Sequence, residues 1–349
     1  MKFNLENIVR DNVKGLKPYS SARDEYVSDG SEMIFLDANE NPFENGVNRY
    51  PDPQQRNLKA VLAAQKGISS DNILLGNGSD EVLDLLFRAF CEPKVDNIIS
   101  LPPTYGMYKV LSEINNIENK EVLLTEAFQP NMDAVLHEID ANSKIVFICS
   151  PNNPTGNSIS TQIIEGLLNR FKGLVVIDEA YIDFSAQESW VSRISEFSNL
   201  VVTQTLSKAY GMAGIRLGIC IASKEIISIL NKIKPPYNVN ELTQQKALGR
   251  ILDKEKVQSE VSKIVNERSK LNAVLSEIDF VKSIYKSDAN FILAKVDDAT
   301  KRYHQLIDKG IVIRNRTTQP LCENTLRFTV GTVNENKKLI QALKDMTNE

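Results

Sequence analysis

The chain has 349 residues, 41 Lys and Arg against 45 Asp and Glu, and a formal net charge of −4. With no basic tract it has little means of neutralising nucleic-acid phosphates, and no apolar run approaches the ~20 residues of a membrane span. Two distant histidines (His137, His304) and four cysteines without a CxxC pair exclude a His/Cys metal centre, so reactive groups must come from Lys, Tyr, Asp, Arg or a borrowed cofactor.

Residues 1–35 are polar and irregular, apart from a short amphipathic segment at 5–13. They read as an arm that frays unless it docks. The first residues lack the charged-then-apolar pattern of a signal peptide. Cys91, Cys149, Cys220 and Cys322 read as reduced, buried thiols of a cytoplasmic protein. From 36 to 236, short apolar runs alternate with amphipathic stretches. Val82, Leu83, Leu86, Phe87 and Phe90 recur at helical spacing, which predicts a helix over 79–90. Runs at 97–101, 144–149, 174–177, 200–203 and 217–222 predict strands. Their continuous apolar character suits strands covered on both faces. Pro235-Pro236 interrupts the pattern. Residues 241–278 predict more than one charge-rich helix. Strands at 291–296, 311–313 and 326–330 then alternate with helices around 300–309 and 334–346. The expected fold is α/β: a large domain (36–236) with a mostly parallel, helix-covered sheet, and a smaller α+β domain (237–349) against which the N-terminal arm packs.

Four polar strings sit at strand ends or helix starts, where open α/β sheets bind ligands. Gly76-Asn77-Gly78-Ser79-Asp80 precedes the helix at 79–90. Its glycines admit an anion to backbone N–H groups, and the helix start adds a favourable dipole. Glu81 replaces the third glycine of a dinucleotide fingerprint, and a capped turn explains the string equally well. Ser150-Pro151-Asn152-Asn153-Pro154-Thr155-Gly156 forms a rigid loop that presents amides after a strand; the bland reading is a turn. Asp178-Glu179-Ala180-Tyr181 places a carboxylate at the end of a buried strand, where it needs a cation or a proton donor. The last string runs from Thr205 to Gly218. Lys208 lies between two apolar strands, where burial would lower its pKa and make the amine a nucleophile. Thr205, Ser207 and Arg216 supply phosphate-binding groups around it. Together these read as a Schiff-base lysine, a phosphate cup and a carboxylate for a ring nitrogen, the constellation of a pyridoxal-phosphate enzyme.

The strings SPNNPTG, DEAY and SKAYGMAGIRLG resemble those of the fold-type I aminotransferases. LDANENP (36–42), NRYPDP (48–53), PPTYGMY (102–108) and LRFTVG (326–331) are similar to those of the histidinol-phosphate aminotransferase family, over residues 18–331. Threonine-phosphate decarboxylases and broad aromatic aminotransferases of the same fold are the alternatives, and a non-catalytic sensor module is a remote one. The resemblance implies pyridoxal 5'-phosphate as cofactor and a homodimer with shared active sites. It also implies amino-group transfer between L-histidinol phosphate and 2-oxoglutarate, in histidine biosynthesis. By the same resemblance Lys208 holds the cofactor and moves the proton, Asp178 pairs with the ring nitrogen, Asn153 and Tyr181 bind the ring oxygen, and Tyr105 stacks on the ring. Gly78, Ser79 and Asp80 (backbone N–H), Thr205, Ser207, Arg216 and Tyr50 of the partner subunit would hold the phosphate. Arg327, Arg314, Tyr19 and Asn39 would bind substrate, although PYSSAR around Tyr19 departs from the family's PGR-like arm. Arg316 is a weaker candidate for the substrate phosphate, its more ordinary reading being a solvated loop charge, and Glu179 reads as a surface or helix-start residue.

Overall fold

The computed structural model describes residues 3–17 and 34–347. Seven strands form the larger sheet: β1 (Ile73–Asn77), β2 (Asn97–Ser100), β3 (Glu118–Glu121), β4 (Ser143–Cys149), β5 (Leu174–Asp178), β6 (Leu200–Thr205) and β7 (Leu217–Ala222). Their spatial order is β1-β7-β6-β5-β4-β2-β3. Only β7 runs against its neighbours, pairing antiparallel with β1 and β6, while the remaining pairs are parallel.

The apolar runs explain this layering. Side chains alternate across a strand. Val146, Ile148, Val175 and Ile177 therefore enter the core on one face, and Ile145, Phe147, Leu174 and Val176 the core on the other. The same alternation sends Asp178, which closes β5, to the Phe147 side. β1 and β3 were not predicted. β1 is a five-residue segment ending in Gly-Asn, and β3 is an edge strand of four polar residues with no apolar signal to find.

A second, antiparallel sheet has the order β10-β11-β9-β8, from β8 (Val281–Ile284), β9 (Phe291–Val296), β10 (Arg314–Asn315) and β11 (Thr325–Thr329). The long helix Lys254–Leu275 and the helices Ala299–Asp308 and Val333–Thr347 close its core around Leu271, Phe280, Leu306, Phe328 and Leu343. The predicted strand at 311–313 is corrected: pairing begins at Arg314. The Ile311 N–H bonds the Leu306 carbonyl and Ile313 is buried while Val312 is exposed, so Ile311 and Ile313 close the preceding helix instead of joining the ladder.

The Pro-Pro interruption separates the helix Lys224–Ile233 from Glu241–Leu252, whose first turn Asn240 caps. The described part of the arm packs beside the large sheet. Its turn Leu5–Asn7 and helix Asp11–Lys14 bury Ile8, Val9 and Val13 with Phe90 and Leu230, and Arg10 reaches Glu92 and the Arg88 carbonyl. Both histidines are exposed and all four cysteines are buried and unlinked. No described helix is long and apolar enough to cross a membrane.

Candidate active site

The loops leaving β4, β5 and β6 meet the start of the helix Ser79–Phe90 around a cavity of about 130 Å³. Ser79, Asp80, Tyr105, Asn153, Asp178, Tyr181, Thr205, Ser207, Lys208 and Arg216 all line it, as the sequence predicts. Strand ends thus gather groups drawn from more than 130 positions of chain.

One end of the cavity suits an anion. Gly78 opens the helix at φ 82 with no side-chain cap, which leaves the N–H groups of Ser79 and Asp80 for a ligand; its own N–H, expected to bind the phosphate, instead donates to the Arg216 carbonyl at 2.9 Å. Arg216 lies against this turn: a Cβ on Gly78 would fall 2.6 Å from its Nη2. Arg216 itself sits at φ 53, a left-handed conformation that a non-glycine residue holds at a cost of about 1–3 kcal/mol. Its Nη2 is 3.4 Å from Asp80 Oδ2, and Tyr105 donates its hydroxyl to Asp80 Oδ1 at 3.0 Å. The Asp80 carboxylate therefore positions two side chains at the cavity wall. Thr205 is more committed than expected. Its hydroxyl contacts the Leu217 carbonyl and Ser207 Oγ and accepts from the Ser207 N–H, so it shapes the turn that presents Ser207.

Gly218 went unassigned, although it closes the SKAYGMAGIRLG string. It faces Gly76 across β1 and β7, and a Cβ there would lie 2.3 Å from both Gly78 C and Ser79 N. Backbone cannot yield as a flexible side chain can. Gly218→Ala is expected to displace the helix start, to destabilise the protein by about 1–3 kcal/mol, and to weaken cofactor binding. Thermal unfolding and a cofactor titration would show both effects; an unchanged affinity would remove Gly218 from the site.

The other end holds the ionisable groups. Asp178 is buried, accepts from Tyr108 Oη at 2.8 Å and from the Ala180 N–H at 3.3 Å, and has its pKa raised by burial. Tyr108 was missed; its only signal was a second tyrosine in PPTYGMY, at a position fully buried against Phe147. The Lys208 side chain is open to the cavity, and its Nζ has no hydrogen-bond partner among the described residues. The surrounding walls still strip away water, and this lowers its pKa; the nearby Arg327 charge acts in the same direction. Its Nζ lies 5.7 Å from the centre of the Tyr181 ring, and burial raises the Tyr181 pKa. Arg327, from β11, donates to Asn153 Oδ1 and so ties the smaller sheet to the loop after β4. With that oxygen occupied, the Asn153 amide faces other partners as a donor.

Glu179 is corrected. It is buried, not superficial, and accepts from Ser189 Oγ, the Trp190 N–H and Gln204 Nε2, so it anchors the loop that follows Asp178. Arg314 is exposed and stands opposite Arg327. Tyr50 and Asn39 do not enter this chain's cavity. They line a separate surface cleft, where Tyr50 stacks on Tyr237 at 4.5 Å. Tyr19 lies outside the described residues.

The side chains fit a flat, anionic ring compound. An uncapped helix start and Arg216 await a phosphate, a carboxyl with a raised pKa awaits a protonated ring nitrogen, and an unpartnered amine stands beside them. Among the described residues no His/Cys/Asp/Glu cluster could hold a metal ion.

Comparison with known proteins agrees with this geometry. Histidinol-phosphate aminotransferase of Flavobacterium johnsoniae is 66% identical over 343 residues, 98% of each chain. The crystal structure of histidinol-phosphate aminotransferase from Clostridium acetobutylicum matches with a TM-score of 0.80 and 27% identity, covering 86% of this chain and 91% of that one. The Sinorhizobium meliloti enzyme of the same name, solved in complex with pyridoxal-5'-phosphate, shares the fold with a TM-score of 0.79 at 21% identity, covering 86% of this chain and 83% of that one. Residues 35–343 match the profile of aminotransferase class I and II, and the chain belongs to that family of pyridoxal-phosphate-dependent enzymes.

Proposed function

We propose that the protein transfers an amino group between L-histidinol phosphate and 2-oxoglutarate, forming imidazole-acetol phosphate and glutamate. The observation that carries the transferase chemistry is the unpartnered Lys208 amine, placed between a buried acid and an uncapped helix start. The 66% identical relative named for this activity supports the choice of substrate.

Bound in the cavity, pyridoxal phosphate supplies an electron sink for the electrons released when the substrate Cα loses its proton. The chain's own groups do the rest. Lys208 holds the cofactor through its amine and, once released, takes the proton from the substrate Cα; its lowered pKa suits a base working near neutral pH. Asp178 keeps a positive ring nitrogen paired, and Tyr108 fixes the orientation of its carboxylate. The Asn153 amide and the Tyr181 hydroxyl would donate to the ring oxygen, and the Tyr105 ring would stack on the cofactor. Ser79, Asp80 and Ser207, with Arg216, hold the phosphate. Arg327 binds the substrate anion, for which its planar fork suits both carboxylate and phosphate.

Residues 36–236 then form the cofactor-holding domain and 237–349 the substrate-facing one. A homodimer completes the site. Tyr50 and Asn39 line a cleft of about 410 Å³, and exposed Val47 and Leu242 in its walls give a second copy an apolar surface to cover. Four buried, unlinked thiols support a reducing, cytoplasmic setting.

The test compares substrates. Glutamate formation from histidinol phosphate and 2-oxoglutarate is expected to exceed that from phenylalanine by about a hundredfold or more in kcat/KM, because a donor without the phosphate leaves guanidinium groups unpaired. Carbon dioxide release from threonine phosphate, without glutamate formation, would instead establish the decarboxylase reading.

A further inference from the structure

Arg316 has no role in the site as derived so far, yet the fold carries it there. β10 pairs with β11 so that Arg314 stands opposite Arg327, and residues directly opposite in an antiparallel pair share a face. Two residues on, the Arg316 N–H bonds the Thr325 carbonyl, so the period of two returns its side chain to that same face. Arg316 is half-buried, not a solvated loop charge. Its Nε and that of Arg327 are buried donors with nothing to donate to. None of the three arginines forms an ion pair among the described residues. Their charges oppose one another: after burial, Arg316 is the largest influence lowering Arg327, to about 10, and Arg314 the largest lowering Arg316.

Three like charges on one face, two with unsatisfied buried donors, are costly until an anion arrives. A carboxylate carries one negative charge and is satisfied by a single bidentate guanidinium. A phosphate monoester carries nearly two near neutral pH and has three acceptor oxygens. We propose that Arg316 is a specificity-determining residue, which joins Arg327 and Arg314 to favour the phosphate dianion of one substrate over the carboxylate of the other. This rests on the phosphate-bearing substrate argued above.

The test uses the cofactor-loaded enzyme, with Arg316→Gln and Arg316→Lys beside the unaltered protein. In Arg316→Gln the ratio of kcat/KM for histidinol phosphate to that for glutamate is expected to fall about tenfold or more, chiefly through KM. The inhibition constant of inorganic phosphate against the glutamate half-reaction is expected to rise about as much. Arg316→Lys, which keeps the charge but not the fork, is expected to lose less. An unchanged ratio together with an unchanged phosphate constant overturns the proposal, as does equal loss for both substrates. An unaltered protein that ignored histidinol phosphate would overturn the substrate reading, while the inorganic-phosphate titration would still decide the role of Arg316.

Discussion

Lys208→Ala is expected to lower turnover by about 10⁴-fold or more, because it deletes a proton-transfer group and the cofactor's anchor together. Positioned acid–base catalysis alone is worth about 10²–10⁴-fold. Tight phosphate binding should persist, since the helix start at Ser79 and the Arg216 side chain are untouched. The variant should therefore still bind cofactor, by equilibrium titration, but lose the visible absorption that depends on attachment to Lys208. Full turnover with an unchanged spectrum would refute the assignment. A pH profile sharpens the test. The Lys208 pKa is lowered first by loss of water and next by the Arg327 charge. Arg327→Gln should thus move the lysine's titration upward, toward the ordinary range near ~10.4. Activity that requires the neutral amine would then appear only at higher pH. A downward or absent shift would show that Arg327 does not act on Lys208.

What could be read from residues alone follows the strength of their signals. β4 to β7 were legible because both faces of each strand are covered, and the runs KIVFIC, LVVI and LGICIA have no other economical explanation. β3 was not, because an edge strand of Glu, Asn, Lys and Glu carries no hydrophobic pattern. The site divides in the same way. Lys208, Asp178 and Asn153 stand in strings whose residue types demand an explanation at a strand end. Tyr108 and Glu179 act from behind those groups, and such support is visible only once the sheet brings residues 70 and 25 positions apart into contact. Gly218 matters through an absent side chain, and its purpose shows only when the backbone at Gly78 is seen beside it. Arg316 ranks below Arg314 on sequence alone because a loop arginine is usually solvated. The register of β10 against β11, two residues long, is what turns it inward.

Asp178→Asn is expected to separate the cost of a buried acid from its use. The carboxyl is fully enclosed, its folded pKa is raised mainly by burial, and the Tyr108 hydroxyl and Ala180 N–H offset that only in part. A native state that prefers the protonated acid binds more protons than the unfolded chain. Stability therefore falls as pH rises from the unfolded value near ~3.9 up through the folded one, and the contribution is fully present only below both. In the cofactor-free protein this decline should be measurable by urea unfolding across that interval, and it should become smaller in Asp178→Asn, whose side chain does not titrate, while Glu179 and Asp183, also raised by burial, keep a remainder. Loading the unaltered protein with cofactor should flatten the same decline, because a positively charged ring nitrogen supplies the partner that the ionised carboxylate lacks. The asparagine variant has no charge to keep that nitrogen protonated. It should lose about 10²–10³-fold in kcat, the scale of removing one preorganised electrostatic group from a reacting centre. A variant that kept most of its kcat would show that the acid serves only packing. A stability profile that fell with pH as in the unaltered protein would place the titrating group elsewhere. Near neutral pH both expected results come from one carboxylate, whose burial weakens the empty protein and pairs the ring in the loaded one.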